Sequence, residues 1–208
     1  LWESFFRRAM ELSGQENTDP APMVNSLKDW LDSLDDDAVS GISGAESEYY
    51  ESLEPPYLSA NGPINIVDEI FLIKGISRDL FKQTVEDADQ EIIEYNIAVK
   101  DLITPFGLDD ENTEEGRYSY SGKININTAA LEVLVALLPV GMEAYAQDLV
   151  DFRLEKGEEG TDFINALDKG WYKQVIDLPG NEQTRFERLI RYSSSVFKVE
   201  RTGVDNNI

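Results

Sequence analysis

The feature that most constrains this chain is the stretch from residue 29 to residue 73, which contains eleven acidic side chains and no lysine or arginine. The acidic residues are Asp29, Asp32, Asp35, Asp36, Asp37, Glu46, Glu48, Glu51, Glu54, Asp68 and Glu69. Like charges at this density repel one another. The stretch must therefore either form a loose solvated loop or be neutralised by a positive group that is not among its own residues.

The whole chain carries the same excess of negative charge. Its 208 residues include 18 basic and 41 acidic side chains, a formal net charge of −23. Such a field repels phosphate backbones and anionic lipid headgroups and attracts cations. A nucleic acid or a membrane surface is therefore a poor first candidate for a partner, and a cation is a good one.

Two residue types that supply much of enzyme chemistry are absent, because the sequence contains no cysteine and no histidine. Thiol and imidazole nucleophiles are excluded, as are nearly all soft or borderline metal ligands. Oxygen remains as the metal ligand, and oxygen suits hard cations such as Ca²⁺ or Mg²⁺. There is also no Gly-rich phosphate loop and no G-x-S-x-G elbow. The sequence predicts a protein that is not an enzyme.

Hydrophobic spacing predicts helices in the first part of the chain. Apolar residues recur at helical spacing in residues 1–14 and 23–34, and residues 44–53 are typical of a short helix. Residues 59–85 and 123–157 each read as two helices joined by a tight turn, a weak internal repeat. In the second unit, Asn127 or Thr128 is the expected N-cap of the first helix.

Two segments are predicted strands, Lys123–Asn127 and residues 192–201 (YSSSVFKVER). They lie far apart in sequence and can pair as part of a small antiparallel sheet with helices on one face. The predicted fold class is therefore α+β.

Within this stretch, residues 32–48 are called the acidic segment, and this segment nearly matches an EF-hand loop. Counted from Asp35, Asp37 and Glu46 occupy positions 3 and 12. Val39 occupies position 5, and Gly41 comes one place after the required position 6. An EF-hand is therefore rejected, and a solvated loop and a bound hard cation both remain open. Aromatic residues on both sides of the segment favour packing against a core (Trp30, Tyr49 and Tyr50).

Five short motifs follow one another along the chain. They are Asp29-Trp30-Leu31-Asp32, Gly44-Ala45-Glu46 with Tyr49, Tyr57 with Ser59-Ala60-Asn61, Asp68-Glu69-Ile70, and Ile124-Asn125-Ile126-Asn127-Thr128-Ala129. In this order they resemble the general secretion pathway protein K family, the large minor pseudopilins of type II secretion systems. The resemblance implies a pilin-like α/β domain, with a small antiparallel sheet, that carries a large inserted helical domain of the SAM-like type.

Domain organisation and location follow from this resemblance as expectations. Residues 1–122 are expected to form the inserted domain, and residues 123–208 the remainder of the pilin-like domain with a second SAM-like helical hairpin and a C-terminal strand. The chain is expected to be a periplasmic piece that lacks a hydrophobic N-terminal helix anchoring the full protein in the inner membrane. It is expected to be a monomer alone and to join the I-type and J-type minor pseudopilins at the pseudopilus tip.

The resemblance also implies calcium, because acidic residues of the family's inserted domain bind Ca²⁺ in this part of the sequence. The expected ligands are Asp32, Asp35, Asp37 and Glu46, together with Asp36 and Glu48. Bound Ca²⁺ would then neutralise the segment and hold a helical domain that has no disulfide.

One alternative concerns residues 123–160, which also resemble the helix-hairpin-helix of DNA-uptake proteins. Their turn reads Pro139-Val140-Gly141-Met142 rather than Gly-hydrophobic-Gly. They hold three basic side chains (Lys123, Arg153 and Lys156) against seven acidic ones (Glu132, Glu143, Asp148, Asp151, Glu155, Glu158 and Glu159), a net charge of −4. Such a charge repels DNA, so nucleic-acid binding is the weaker interpretation.

Overall fold

The structure is a computed structural model that describes residues 1–15, 18–32, 43–86, 92–96, 99–105 and 122–194. For residues 83–86, 92–96 and 100, the structure describes the backbone alone. In chain order, the described elements are α1 (Trp2–Leu12), α2 (Ala21–Leu31), α3 (Ser47–Glu51), 3₁₀ turns at Val67–Leu72 and Arg78–Phe81, β1 (Lys82–Glu86), β2 (Ile92–Asn96), α4 (Val99–Leu102), β3 (Ile124–Asn125), α5 (Leu131–Leu137), α6 (Tyr145–Leu154), a 3₁₀ turn at Trp171–Gln174, α7 (Gly180–Leu189) and β4 (Ile190–Arg191).

The helices predicted at residues 1–14, 23–34 and 44–53 are confirmed as α1, α2 and α3. Helix α1 buries one apolar face, formed by Phe5, Phe6, Ala9 and Met10. It ends just before Gly14, whose φ of +75° lies in the left-handed region that glycine adopts without strain. The spacing of the hydrophobic residues is sufficient to predict these helices, because this spacing is a local property of the sequence.

The helical hairpin predicted for residues 59–85 is wrong. Only short 3₁₀ turns form there, at Val67–Leu72 and Arg78–Phe81, and Lys82–Glu86 is a strand. This strand pairs antiparallel with Ile92–Asn96, with Thr84 opposite Glu94. The predicted turn is present, since Gly75 has a φ of +83° and the Ile76 N–H donates to the Ile73 carbonyl over 3.0 Å.

The second hairpin is confirmed as α5 and α6, joined by a turn in which the Met142 N–H donates to the Pro139 carbonyl over 3.0 Å. The predicted N-cap is wrong. Ala130 occupies the N-cap position of α5 and provides no side-chain cap, so neither Asn127 nor Thr128 serves there. Helix α5 begins too late for Asn127 to reach it, and the Asn127 amide bonds elsewhere.

The described strands form two small two-stranded sheets, and with the helices they make the fold α+β as predicted. Strands β1 and β2 are antiparallel, whereas β3 pairs in parallel with β4, Ile124 opposite Ile190. The predicted partner of the strand at 123–127 was the segment 192–201, most of which lies outside the described residues. Within the described part of the chain, this strand pairs instead with Ile190–Arg191, the two residues just before that segment.

Buried apolar side chains gather in two clusters. The first includes Phe6, Trp30, Tyr50 and Ile70, and the second is built from residues 126–190 around Trp171. Helices α1 and α5 pack against each other and join the two clusters. The division of the chain into domains at residues 122 and 123 stays a prediction. No helix in the described ranges has the length and apolar character needed to cross a membrane.

Asn127 connects separate parts of the second cluster. Its Nδ2 donates to the carbonyl oxygens of Leu167 and Tyr192 over 3.3 and 2.9 Å, and its Oδ1 accepts from Nε1 of Trp171 over 2.7 Å. The Trp171 ring is 2% exposed and stacks on Phe152 with ring centroids 5.4 Å apart. A single amide therefore satisfies three polar groups that are distant in sequence.

Glu187 on α7 accepts hydrogen bonds from three neighbours. Its Oε1 lies 3.0 Å from Nζ of Lys173, 3.0 Å from Nε2 of Gln183 and 2.9 Å from the Tyr172 hydroxyl. These contacts, the one with Lys173 first, lower the pKa of the Glu187 carboxyl to about 2. Burial raises the pKa of the Tyr172 hydroxyl, and its hydrogen bond to the Glu187 carboxylate raises this pKa further.

We expect Glu187 to make the fold sensitive to acid. Its pKa is lower in the folded than in the unfolded chain, so its stabilisation is complete above the ordinary value of 4.5 and is lost as pH falls towards about 2. Urea unfolding at pH 7, 4 and 3 should show the Glu187→Gln variant losing less stability on acidification than the wild type. Glu159→Gln, an exposed control, should follow the wild type, and equal acid sensitivity of all three proteins would contradict this role for Glu187.

Candidate metal-binding site at the acidic segment

Helix α2 places Asp29 inside the protein, close to the far end of the acidic segment. The Asp29 side chain is 2% exposed, and its Oδ2 accepts the Ala45 N–H over 2.7 Å. One turn earlier on the same helix, Nδ2 of Asn25 lies 3.4 Å from Oγ of Ser43. Asp29 is therefore buried where it accepts a hydrogen bond from the backbone of residues 43–45, at the far end of the acidic segment.

A second contact comes from a lysine 30 residues further along the chain. Nζ of Lys74 donates to the carbonyl oxygens of Gly44 and Ser43 over 3.1 and 3.5 Å. It also lies 4.6 Å from the ring centroid of Tyr49. Residues 43–45 are therefore held from two sides, by a carboxylate of α2 and by an ammonium group from the turn after Val67–Leu72.

An aromatic cluster underlies this attachment. The rings of Trp30 and Tyr50 meet edge to face at a centroid distance of 5.1 Å, and Tyr50 lies 5.1 Å from Tyr49 and 5.4 Å from Tyr57. Burial raises the pKa of Tyr50 to about 12. The predicted packing of the aromatic residues that flank the segment is confirmed, so both ends of the segment rest on the first apolar cluster.

The six predicted calcium ligands fall into three groups. Asp35, Asp36 and Asp37 lie outside the described residues. Asp32, at the end of α2, and Glu48, in α3, are exposed. Glu46, just before α3, is 8% exposed. The described part of the chain contains no group of three or more acidic side chains arranged to hold a metal ion.

The donor atoms around the segment nevertheless suit a hard cation. The chain supplies only oxygen ligands here, namely carboxylates and the backbone carbonyls of residues 43 and 44, and Ca²⁺ prefers oxygen ligands. Glu46 directly follows Ala45, whose N–H donates to Asp29, and its side chain is 8% exposed. Glu46 is therefore the described candidate best placed to contribute to such a site.

Asp29 and Lys74 are the site residues that the ligand prediction missed. Asp29 is separated from Ser26 by three positions and from Asn25 by four, which places it on the face of α2 that meets the returning chain. Lys74 is the first basic residue after the stretch that contains none. That position was a usable signal, because any compensating charge has to come from outside the stretch.

The DNA-binding interpretation of residues 123–160 finds no support in the contacts of their basic side chains. NH1 of Arg153 donates to the Ile126 carbonyl over 3.0 Å, inside the second cluster, and burial lowers the pKa of Arg153. Nζ of Lys156 lies 5.4 Å from the ring centroid of Phe163. Arg153 is thus engaged within the fold, and the surrounding charge remains negative.

These features define an α+β protein with an acidic segment near its N-terminal helices. Contacts with the rest of the fold hold both ends of this segment, and the segment offers only oxygen atoms as metal ligands. Residues 2–85 match the family described as type II secretion system (T2SS), protein K. The resemblance inferred from the sequence motifs is therefore confirmed for this part of the chain, which matches the model of that family.

Several relatives bear the same name, type II secretion system protein K. The protein of Aeromonas hydrophila is 34% identical over 76 residues, which are 36% of this chain and 22% of that protein. The protein of Klebsiella pneumoniae is 33% identical over 78 residues, 38% of this chain and 23% of the relative. That of Pectobacterium carotovorum subsp. carotovorum is 24% identical over 160 residues, 72% of this chain and 48% of the relative. The matches thus span about half, or less, of the length of these relatives.

A solved structure is also similar in part. It is the crystal structure of the GspK-GspI-GspJ complex from the enterotoxigenic Escherichia coli type 2 secretion system. The similarity has a TM-score of 0.48 and 14% sequence identity, and it covers 89% of this chain and 54% of that one.

Proposed function

We propose that this chain is part of a minor pseudopilin of a type II secretion system, with a structural and not a catalytic role. The observation that carries the proposal is the match of residues 2–85 to the protein K family. In the proposed setting the protein lies in the periplasm and its full-length form is anchored in the inner membrane. It joins the I-type and J-type minor pseudopilins to initiate or cap the pseudopilus.

A physical argument supports a position at the tip. A pilin within a helical filament must accept identical neighbours above and below it. A large helical insertion between its strands would obstruct one of those contacts, and the net charge of −23 would oppose the stacking of one copy on another. The end of a fibre leaves the space that the helical part of this chain requires.

We also propose that the acidic segment binds Ca²⁺, with ligands from Asp32, Asp35, Asp36, Asp37, Glu46 and Glu48. The support is the all-oxygen donor set and the fixed attachment of residues 43–45 by Asp29 and Lys74. Bound Ca²⁺ would supply positive charge and link the two ends of the segment. The protein itself buries Glu46 and holds the backbone of residues 43–45 near α2.

Assembly with partners is the test of the proposed role. Alone, the chain should be a monomer by native mass spectrometry, and co-expression with I-type and J-type pseudopilins should yield a complex with one copy of each. Cross-links should involve residues 123–208, the expected pilin-like part. Leaving out each partner in turn provides the control. A homopolymer of this chain, or cross-links confined to residues 1–122, would refute the tip position.

A further inference from the structure

A cavity of about 300 Å³ opens between the helices of the first apolar cluster and the strand pair β3–β4. Helices α1, α2, α4 and α5 all contribute to its walls, so its shape depends on packing between distant parts of the chain. Its volume lies at the lower end of the range for small-molecule sites, about 300–1,000 Å³. The apolar side chains that line it include Trp2, Phe5, Leu31, Ile70, Ile124 and Val133.

The charged side chains among the described residues of this lining are both basic. They are Lys123, which is exposed, and Arg191, which is half-buried. The chain has 41 acidic and only 18 basic side chains, so a lining in which the described charges are all positive runs against its composition. An apolar cavity bordered by two cations is complementary to an apolar molecule that carries one negative charge.

Arg191 also has unused hydrogen-bonding capacity. Its Nε is buried and has no hydrogen-bond partner, and its guanidinium forms no ion pair with another described residue. A buried donor without an acceptor is costly, and a guanidinium group suits a carboxylate because it can donate two parallel hydrogen bonds. The missing acceptor is therefore well matched by the carboxylate of a ligand.

We propose that this cavity binds a free fatty acid, with the acyl chain among the apolar side chains and the carboxylate at Arg191 and Lys123. Apolar cavities are poorly hydrated and take up apolar ligands. The acyl chain would gain by leaving water, and the two cations would fix its orientation. This inference concerns a site separate from the acidic segment and does not depend on Ca²⁺ binding.

The size of the cavity and the charge of the chain favour this ligand over two other occupants. One turn of a partner's α-helix, about 10 Å wide and 5.4 Å long, occupies about 400 Å³, more than the whole cavity. A bilayer with anionic headgroups is repelled by the net charge of −23. A single acyl chain that arrives as a monomer meets neither obstacle.

The first experiment is titration calorimetry of the 208-residue chain with hexanoate, octanoate and decanoate below their micelle concentrations. We expect binding of one ligand per chain, with affinity rising about fourfold for each added methylene. Decyltrimethylammonium has the same alkyl chain and the opposite charge, and it should bind at least about tenfold more weakly than decanoate. Tryptophan emission should shift to shorter wavelength with decanoate, because Trp2 is 38% exposed and lines the cavity, whereas Trp30 and Trp171 are already buried.

Variants then separate the apolar and the charged parts of the site. Val133→Phe fills the cavity and should abolish binding of both decanoate and decanol, whereas Val140→Phe, at a position that is 91% exposed, should bind as the wild type does. Arg191→Gln should weaken decanoate binding about tenfold or more without changing the affinity for decanol. Lys169→Gln removes an exposed positive charge elsewhere and should have little effect.

Melting curves without ligand distinguish loss of the site from loss of the fold. A variant is compared with the wild type only where its melting temperature is unchanged, and Arg191→Gln decides the case if Val133→Phe is destabilised. Undetectable decanoate binding by the wild type, equal binding of decyltrimethylammonium, or full affinity in folded Arg191→Gln would overturn the proposal. Binding to vesicles of phosphatidylcholine and phosphatidylglycerol without binding of monomeric decanoate would assign the surface to a membrane and also reject it.

Discussion

Replacing Asn127 by alanine is expected to lower the free energy of unfolding by about 3–5 kcal/mol, since three partners lose their hydrogen bonds at once. These partners are Nε1 of the buried Trp171 and the carbonyls of Leu167 and Tyr192. A polar group left unsatisfied in the interior costs about 1–3 kcal/mol. Urea unfolding monitored by tryptophan fluorescence measures the loss.

The matched control for this change is Asn181→Ala, at an exposed position near the start of α7. There we expect a change of at most about 0.5 kcal/mol, as for most surface substitutions. Trp171→Phe removes the donor to Asn127, so the Asn127→Ala/Trp171→Phe double variant should be less destabilised than the sum of the single variants. Equal losses in Asn127→Ala and Asn181→Ala, or strict additivity with Trp171→Phe, would show that the amide does not join the parts of this cluster.

Calcium is expected to raise the melting temperature of the chain by about 5–10 °C. At one hundred times the dissociation constant, a ligand specific to the folded state adds about 2.7 kcal/mol. For a chain of this size, each kcal/mol shifts the melting temperature by about 2–4 °C. EDTA should reverse the rise, and Mg²⁺ should produce much less, because it demands tighter octahedral geometry. Identical melting curves in Ca²⁺ and in EDTA would refute the calcium site.

Variants of two glutamates locate this effect. Glu46→Gln should diminish the Ca²⁺-dependent rise while leaving the melting temperature in EDTA no lower, because it keeps the size of the side chain and removes one of the negative charges of the acidic segment. Glu51→Gln removes the same charge from an exposed position of α3, so it should retain the full rise. If both variants reduce the rise equally, the response to Ca²⁺ depends on the overall charge of the segment and not on Glu46.

Several elements could be predicted because their signals are local. The apolar face of α1, the end of that helix before Gly14 and the turn between α5 and α6 all depend on residues within a few positions of one another. The strand Lys82–Glu86 was misread as helix because its pairing with Ile92–Asn96 is not visible in the spacing of its own residues. Strand pairing depends on a partner, which a local pattern does not contain.

For the acidic segment, too, some features follow from the sequence alone and others depend on contacts between distant residues. The sequence by itself determined that the stretch is either solvated or compensated by a positive group from elsewhere, that any metal ligands are oxygens, and that the motifs resemble the protein K family of type II secretion systems. Only the tertiary structure decided that Asp29 turns inward to the Ala45 N–H, that Lys74 reaches back to the Gly44 carbonyl, and that Asn127 bonds Trp171 in place of capping a helix. The physical reason is that buried polar groups must find partners, and those partners are set by how the chain packs and not by how near they lie in sequence.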